Sequence, residues 1–182
     1  MYRTMRWAVA ATTLALLGGC GQDAPAADAA ATGHKVWQGV ATDCPPLTAP
    51  AFAGLEPSPS SEKIDREGVL SIMCMYGTAD TPPTLLVHIR VNRSPDLHGE
   101  PAEMVRGSRQ YAQGSGYPVI ELSNGGVLAA ESSGSAEAVV ASGNASLTVM
   151  AQLEIALNTE AELVAHRAEF EQSLNDLVGN LR

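Results

Sequence analysis

The clearest pattern in the chain runs through residues 84–91, where Leu85, Val87, Ile89 and Val91 alternate with Leu86, His88 and Arg90. Period-two spacing predicts a β-strand with one face in a core and the other toward water. Pro82-Pro83 marks its start and Ser94-Pro95 its end. Upstream, residues 69–76 read as a partner strand carrying Cys74, and the polar, Pro/Ser-rich stretch 56–67 reads as a surface loop. Downstream come hairpins. Segments 119–122 and 127–131 flank Ser123-Asn124-Gly125-Gly126, and Asn-Gly is the strongest short hairpin signal. Segments 136–141 and 146–153 flank Ser142-Gly143-Asn144-Ala145, a second turn of similar chemistry.

Between the strands, other spacings predict helices. Residues 101–113 place Pro101 in a first turn and Met104, Val105, Ser108, Tyr111 and Ala112 on one stripe, with Gly114-Ser115-Gly116 as the stop. Near the end, Thr159 with Glu162 three residues on forms a capping box, and Leu163, Phe170, Leu174, Leu177 and Leu181 give the buried stripe of a long helix. A short helix is expected after Cys44-Pro45-Pro46, capped by Thr48, with Pro50 in its first turn and Leu47, Phe52 and Leu55 on its buried side. Residues 36–40 read as a short edge strand with Trp37 as a lid on the core. The predicted class is α+β: an antiparallel sheet of about five to six strands packed by a middle helix and a C-terminal helix. Residues 36–182 form that single domain, and no internal repeat is evident.

The first 35 residues have a different character. Arg3 and Arg6 precede an apolar run from Trp7 to Leu17, and Leu17-Gly18-Gly19-Cys20 follows. The run is too short for a lasting membrane span, which needs about 20 apolar residues. The pattern resembles a bacterial lipoprotein signal, with residues 1–19 as the leader. That resemblance implies a diacylglycerol on the Cys20 sulfur and a second acylation at the new N-terminus, and two or more chains make a stable anchor. Residues 20–35 are then the lipidated cysteine and a flexible tether, poor in large apolar side chains. The alternative is an ordinary secretory leader that would leave Cys20 as an exposed thiol in an oxidising space.

Composition narrows the partners. The chain holds 11 Lys and Arg against 20 Asp and Glu, and loss of Arg3 and Arg6 would carry the mature formal charge to about −11. Nucleic acid is an unsuitable partner for such a surface, and contact with lipid is expected through the acyl chains on Cys20 rather than a basic face. With Cys20 acylated, Cys44 and Cys74 remain as an even pair, expected to bond to each other in the envelope. Aromatic residues make up only 4% of the chain, so small side chains fill much of the core and a covalent link helps it.

The order of elements, the Cys44-Pro45-Pro46-Leu47-Thr48 start and the Cys74-Met75-Tyr76 spacing resemble a family of small actinobacterial lipoproteins of unknown function. That resemblance covers residues 43–182 and implies a fold similar to the PsbP and Mog1 proteins, an antiparallel sheet between helices. The chain departs in having Tyr76 where Trp is common and in a Ser/Thr-poor tether. Gly21 after Cys20 resembles an outer-membrane sorting pattern. The expected location is therefore the outer face of the cytoplasmic membrane in a Gram-positive cell, or the outer membrane facing the periplasm in a Gram-negative one.

The resemblance carries no catalytic residues, and the residues themselves offer no Gly-x-Ser-x-Gly elbow, His-Glu-x-x-His helix, phosphate loop or cofactor motif. A triad could still draw on His88, His98 or His166, whose members need not be adjacent in sequence. As a metal pair His88 and His98 carry little weight, and no metal or cofactor is expected. Arg90, Arg93, Arg106 and Arg109 are four of the nine basic residues left after Gly19, and they offer a local patch for an anion or an acidic partner. The competing expectation is that each pairs with Asp96, Glu100 or Glu103. Binding needs only a surface, so composition favours a binding domain or a carrier over a hydrolase, and the leading expectation is a non-enzymatic domain that engages a protein partner as accessory subunit or as an inhibitor such as an immunity protein. A carrier of a lipid or small apolar ligand and an envelope hydrolase are the alternatives.

Overall fold

The computed structural model describes residues 35–59, 61–78 and 81–182, so the expectations for the leader, Cys20 and residues 21–34 lie outside the described residues. Seven antiparallel strands form one sheet: β1 (Glu62–Arg66), β2 (Val69–Thr78), β3 (Thr81–Asn92), β4 (Val119–Glu121), β5 (Val127–Ala130), β6 (Ala136–Ser142) and β7 (Ala145–Gln152). Their order across the sheet is β1-β2-β3-β7-β6-β5-β4. Helix α1 (Glu100–Ser115) follows β3, and α2 (Glu160–Gly179) closes the chain. The class is α+β as expected, with more strands than expected.

The extra strand is β1, which lies inside the stretch read as a loop. All five of its residues are exposed, so Glu-Lys-Ile-Asp-Arg carries no burial pattern, and its pairing with β2 comes from the turn at Gly68, where φ is 85°. Charged side chains on such an edge discourage further strand addition.

The inner face of the sheet is the main core. Leu70, Ile72, Cys74 and Tyr76 of β2 line up beside Leu85, Val87, Ile89 and Val91 of β3 and Leu147 and Val149 of β7. Helix α2 lays Leu163, Phe170, Leu174 and Leu177, each fully buried, over the part of this face formed by β7, β6, β5 and β4. Leu181, expected on the same stripe, falls beyond the helix and forms a bridge with Val40. The N-terminal segment completes this layer as a strap rather than an edge strand: Gln38 and Gly39 donate to the Arg182 carbonyl at 2.6 and 2.9 Å, and Trp37 is buried.

The short helix after Cys44 is absent, and residues 49–54 make a bend and turns instead. Pro45, Pro46 and Pro50 lack backbone donors. The Thr48 hydroxyl and amide both bind the Asp176 carboxylate of α2, at 3.0 and 2.7 Å, so Thr48 caps nothing of its own. Its burial expectation survives: Phe52 packs edge-on against Phe170, ring centroids 6.0 Å apart. The Cys44–Cys74 disulfide, with Cα atoms 5.8 Å apart, ties this strap to β2. Beside it the Tyr76 hydroxyl donates to the Pro45 carbonyl at 2.7 Å, and burial pushes its pKa up to about 12.

At the start of α2 the capping box is complete. The Glu162 amide donates to the Thr159 hydroxyl at 3.3 Å, and the Glu162 carboxylate accepts from the amides of Thr159 and Asn158, both at 2.8 Å. These bonds hold the Glu162 carboxyl below the usual range, so its contribution is present at neutral pH and is lost as acid protonates it. Thr159→Ala should lower stability by about 1 kcal/mol in a urea titration at neutral pH. An unchanged midpoint would mean that tertiary packing alone sets this helix start.

Candidate functional site

The outer face of the sheet is only half covered. Helix α1 lies over β4, β5 and β6 and reaches β7, sealing a small cluster of Val105, Val127 and Val139. Tyr111, expected on its buried stripe, is 61% exposed instead, while Val105 and Ala112 are buried. The outer sides of β1, β2 and β3 form the remaining half, where no described helix lies.

Register places three rows of side chains across this open half. One row runs Met150 of β7, Leu86 of β3, Met75 of β2. The next runs Thr148, His88, Met73, Glu62, and the third runs Ser146, Arg90, Ser71, Ile64. Met73 and Ile64 are about two-fifths exposed, at 41% and 39%, while Met75, Leu86 and Met150 are half-buried. A trough of about 280 Å³ lies between Met75, Leu86 and Met150 and the loop serines Ser133 and Ser135. A second, of about 320 Å³, is bounded by Ile64, Arg66, Ser71, His88 and Arg90.

His88 belongs to the wall of the second trough. Its Nε2 shares a hydrogen bond with the Ser71 hydroxyl at 2.8 Å. Burial first, and then the Arg90 charge, lower its pKa below the ordinary histidine value. No carboxylate reaches it among the described residues. His166 has Glu169 at 3.8 Å but no serine, and His98 has a buried Nε2 without a partner. The described residues therefore bring Ser to one histidine and a carboxylate to another, without a histidine that holds both.

Each of the four arginines has its own carboxylate. Arg90 binds Glu100 at 2.7 Å and Asn92 at 2.9 Å, joining β3 to the start of α1. Arg93 binds Asp65 at 2.7 Å and the Gln38 carbonyl at 2.8 Å, joining β3 to β1 and the N-terminal strap. Arg106 pairs with Glu103 on α1, and Arg109 with Glu121 of β4 at 2.6 Å. Two of these partners, Glu100 and Glu103, were expected; Asp65 of β1 and Glu121 of β4 were not, and the expected Asp96 accepts from the Ser94 hydroxyl instead of an arginine. On the covered side, the Ser108 hydroxyl donates to Glu137 at 3.0 Å under α1, where burial raises the Glu137 pKa.

No protein-family model, curated protein or solved structure matches this chain. The methionines are the residues that reading the sequence overlooked. Their signal was present in Met73-Cys74-Met75: once Cys74 is turned inward by its disulfide, alternation must point both neighbours outward.

Proposed function

We propose that this chain is a lipid-anchored protein of the cell envelope that binds a protein partner, as an accessory subunit or an inhibitor, without catalysing a reaction. The observation that carries the reading is the uncovered half of the outer face. Ile64 of β1, Met73 and Met75 of β2 and Leu86 of β3 lie there together, with Met150 of β7 at the border, and contiguous apolar surface of this kind marks interaction sites. Methionine suits it, because a flexible, polarizable side chain adapts to a partner's contour. Anchoring rests on Leu17-Gly18-Gly19-Cys20. The tether would join the domain at Lys35, whose carbonyl lies against Gly143 in the β6–β7 turn.

A photo-cross-linking residue at Ile64, in the full-length gene expressed in its own cells, should give one protein-sized adduct. The same residue at Val164, exposed on α2 over the inner face, should give none, and Met73→Asp should abolish the Ile64 adduct. Adducts of equal yield at both positions, or none at either, would overturn docking at this face. A bound mass of a few hundred daltons in native mass spectrometry, without a protein adduct, would favour the carrier. Cys20→Ser should release the protein from the membrane fraction; retention would remove the anchor from the proposal.

A further inference from the structure

Met73 and Met75 stand two residues apart on β2, so both side chains rise from the outer face. His88 of β3 is directly opposite Met73 and diagonal to Met75. Opposed Cβ atoms of an antiparallel pair are about 5 Å apart and diagonal ones about 7 Å, a gap that unbranched methionine arms can close around one atom. No group of three His, Cys, Asp or Glu that could hold a metal exists among the described residues. The ligands offered here are of another kind. Thioether sulfur is soft and imidazole joins soft and borderline ions alike, a combination that selects copper(I) over zinc, magnesium or calcium.

The histidine is also held as a ligating histidine needs to be. Ser71, two residues before Met73 on the same face, binds Nε2 at 2.8 Å. In the tautomer whose Nε2–H donates to that hydroxyl, Nδ1 keeps its lone pair, and it has no hydrogen bond among the described residues. Fixing one ring nitrogen to orient the other is what outer partners of metal-bound histidines do. Met73, at 41% exposure, leaves the spot open to an arriving ion.

We propose that Met73, Met75 and His88 form a three-ligand site for a soft monovalent cation, copper(I), with Ser71 as the residue that positions the imidazole. The site shares the open face with protein docking but requires no partner, so either can fail alone.

Silver(I) is the redox-inert probe. The protein without its leader holds four methionines, Met73, Met75, Met104 and Met150, and each contributes one methyl signal after labelling with methyl-¹³C methionine. The measurement uses the mature protein in detergent and chloride-free buffer, with any free thiol alkylated first. At one equivalent of silver(I), the Met73 and Met75 methyls and the His88 ring protons should move while Met104 stays. Ser71→Ala should weaken binding by about 10-fold, and His88→Phe by about 100-fold. Met73→Leu with Met75→Leu conserves volume, and should abolish binding while leaving the Met104 and Met150 signals in place. Absence of any methyl shift at one equivalent, uniform movement of all four, or movement of Met150 in place of Met75 would overturn the assignment.

Discussion

Asn144→Leu should lower the free energy of unfolding by about 3 to 5 kcal/mol, and the loss should appear first where residues 37–41 pair with Asn180 and Arg182. Asn144 sits in the two-residue turn between β6 and β7 and is 2% exposed. Its side chain accepts from the Trp37 amide at 2.7 Å and donates to the Trp37 carbonyl at 3.0 Å and the Asn92 carbonyl at 2.7 Å. Leucine fits the volume but leaves three backbone groups unpaired, and each such group costs about 1–3 kcal/mol where water cannot reach it. The neighbouring turn glycine gives an independent route to the same segment. Gly143 has φ of 57°, and a Cβ there would lie 1.9 Å from the Lys35 carbonyl oxygen, so Gly143→Ala must push the strap outward. Urea midpoints report the stability, and hydrogen exchange of the Gln38, Gly39 and Ala41 amides reports where it is lost. An Asn144→Leu midpoint equivalent to less than about 1 kcal/mol would show that Asn144 does not hold the strap.

Removing the disulfide is expected to be comparably damaging. Cys44 and Cys74 are 30 residues apart, and on the chain-entropy account closing that loop contributes about 3.6 kcal/mol. The paired replacement Cys44→Ala with Cys74→Ala should approach that loss, with a smaller part from the fully buried Cys74 side chain. The strap keeps Phe52 against Phe170 and Thr48 on Asp176, so the domain should remain folded with a lower urea midpoint. Reductant should shift the unaltered protein in the same direction and leave the double variant unmoved. Equal midpoints with and without reductant would mean that the noncovalent contacts of residues 44–55 already restrict the chain. Alkali provides a further check on this corner. The Tyr76 phenol is raised to about 12, so its share of stability is complete below the unfolded value near 10 and declines as pH rises through 12.

Five features show where local pattern sufficed. Strands β2 and β3 were readable because alternating apolar residues face a sheet's buried side at period two. The two hairpins of the second half follow from Asn-Gly and Gly-Asn chemistry, and the α2 start from a capping box that needs only Thr159 and Glu162. Strand β1 escaped because an edge strand with every residue exposed has no pattern to display. The short helix failed for the opposite reason: its apolar spacing was real, but Asp176, 128 residues away from Thr48, took the cap.

The candidate site divides in the same way. The arginines are visible in the sequence, and so are Glu100 and Glu103, the partners of Arg90 and Arg106; Asp65 and Glu121, the partners of Arg93 and Arg109, are delivered only by the fold. The methionine and histidine cluster depends on two facts with no local signature: β2 and β3 pair so that Met73 meets His88, and α1 turns toward β4, β5 and β6. By itself, then, the sequence determined the α+β class, the cysteine pair, most strand and helix positions and the expectation of an anchored leader. Periodicity, turn chemistry and caps act over a few residues and are written in order along the chain. The tertiary structure alone decided which half of the sheet stays open and which side chains share it, because strand register and helix placement are set by contacts between residues far apart in sequence.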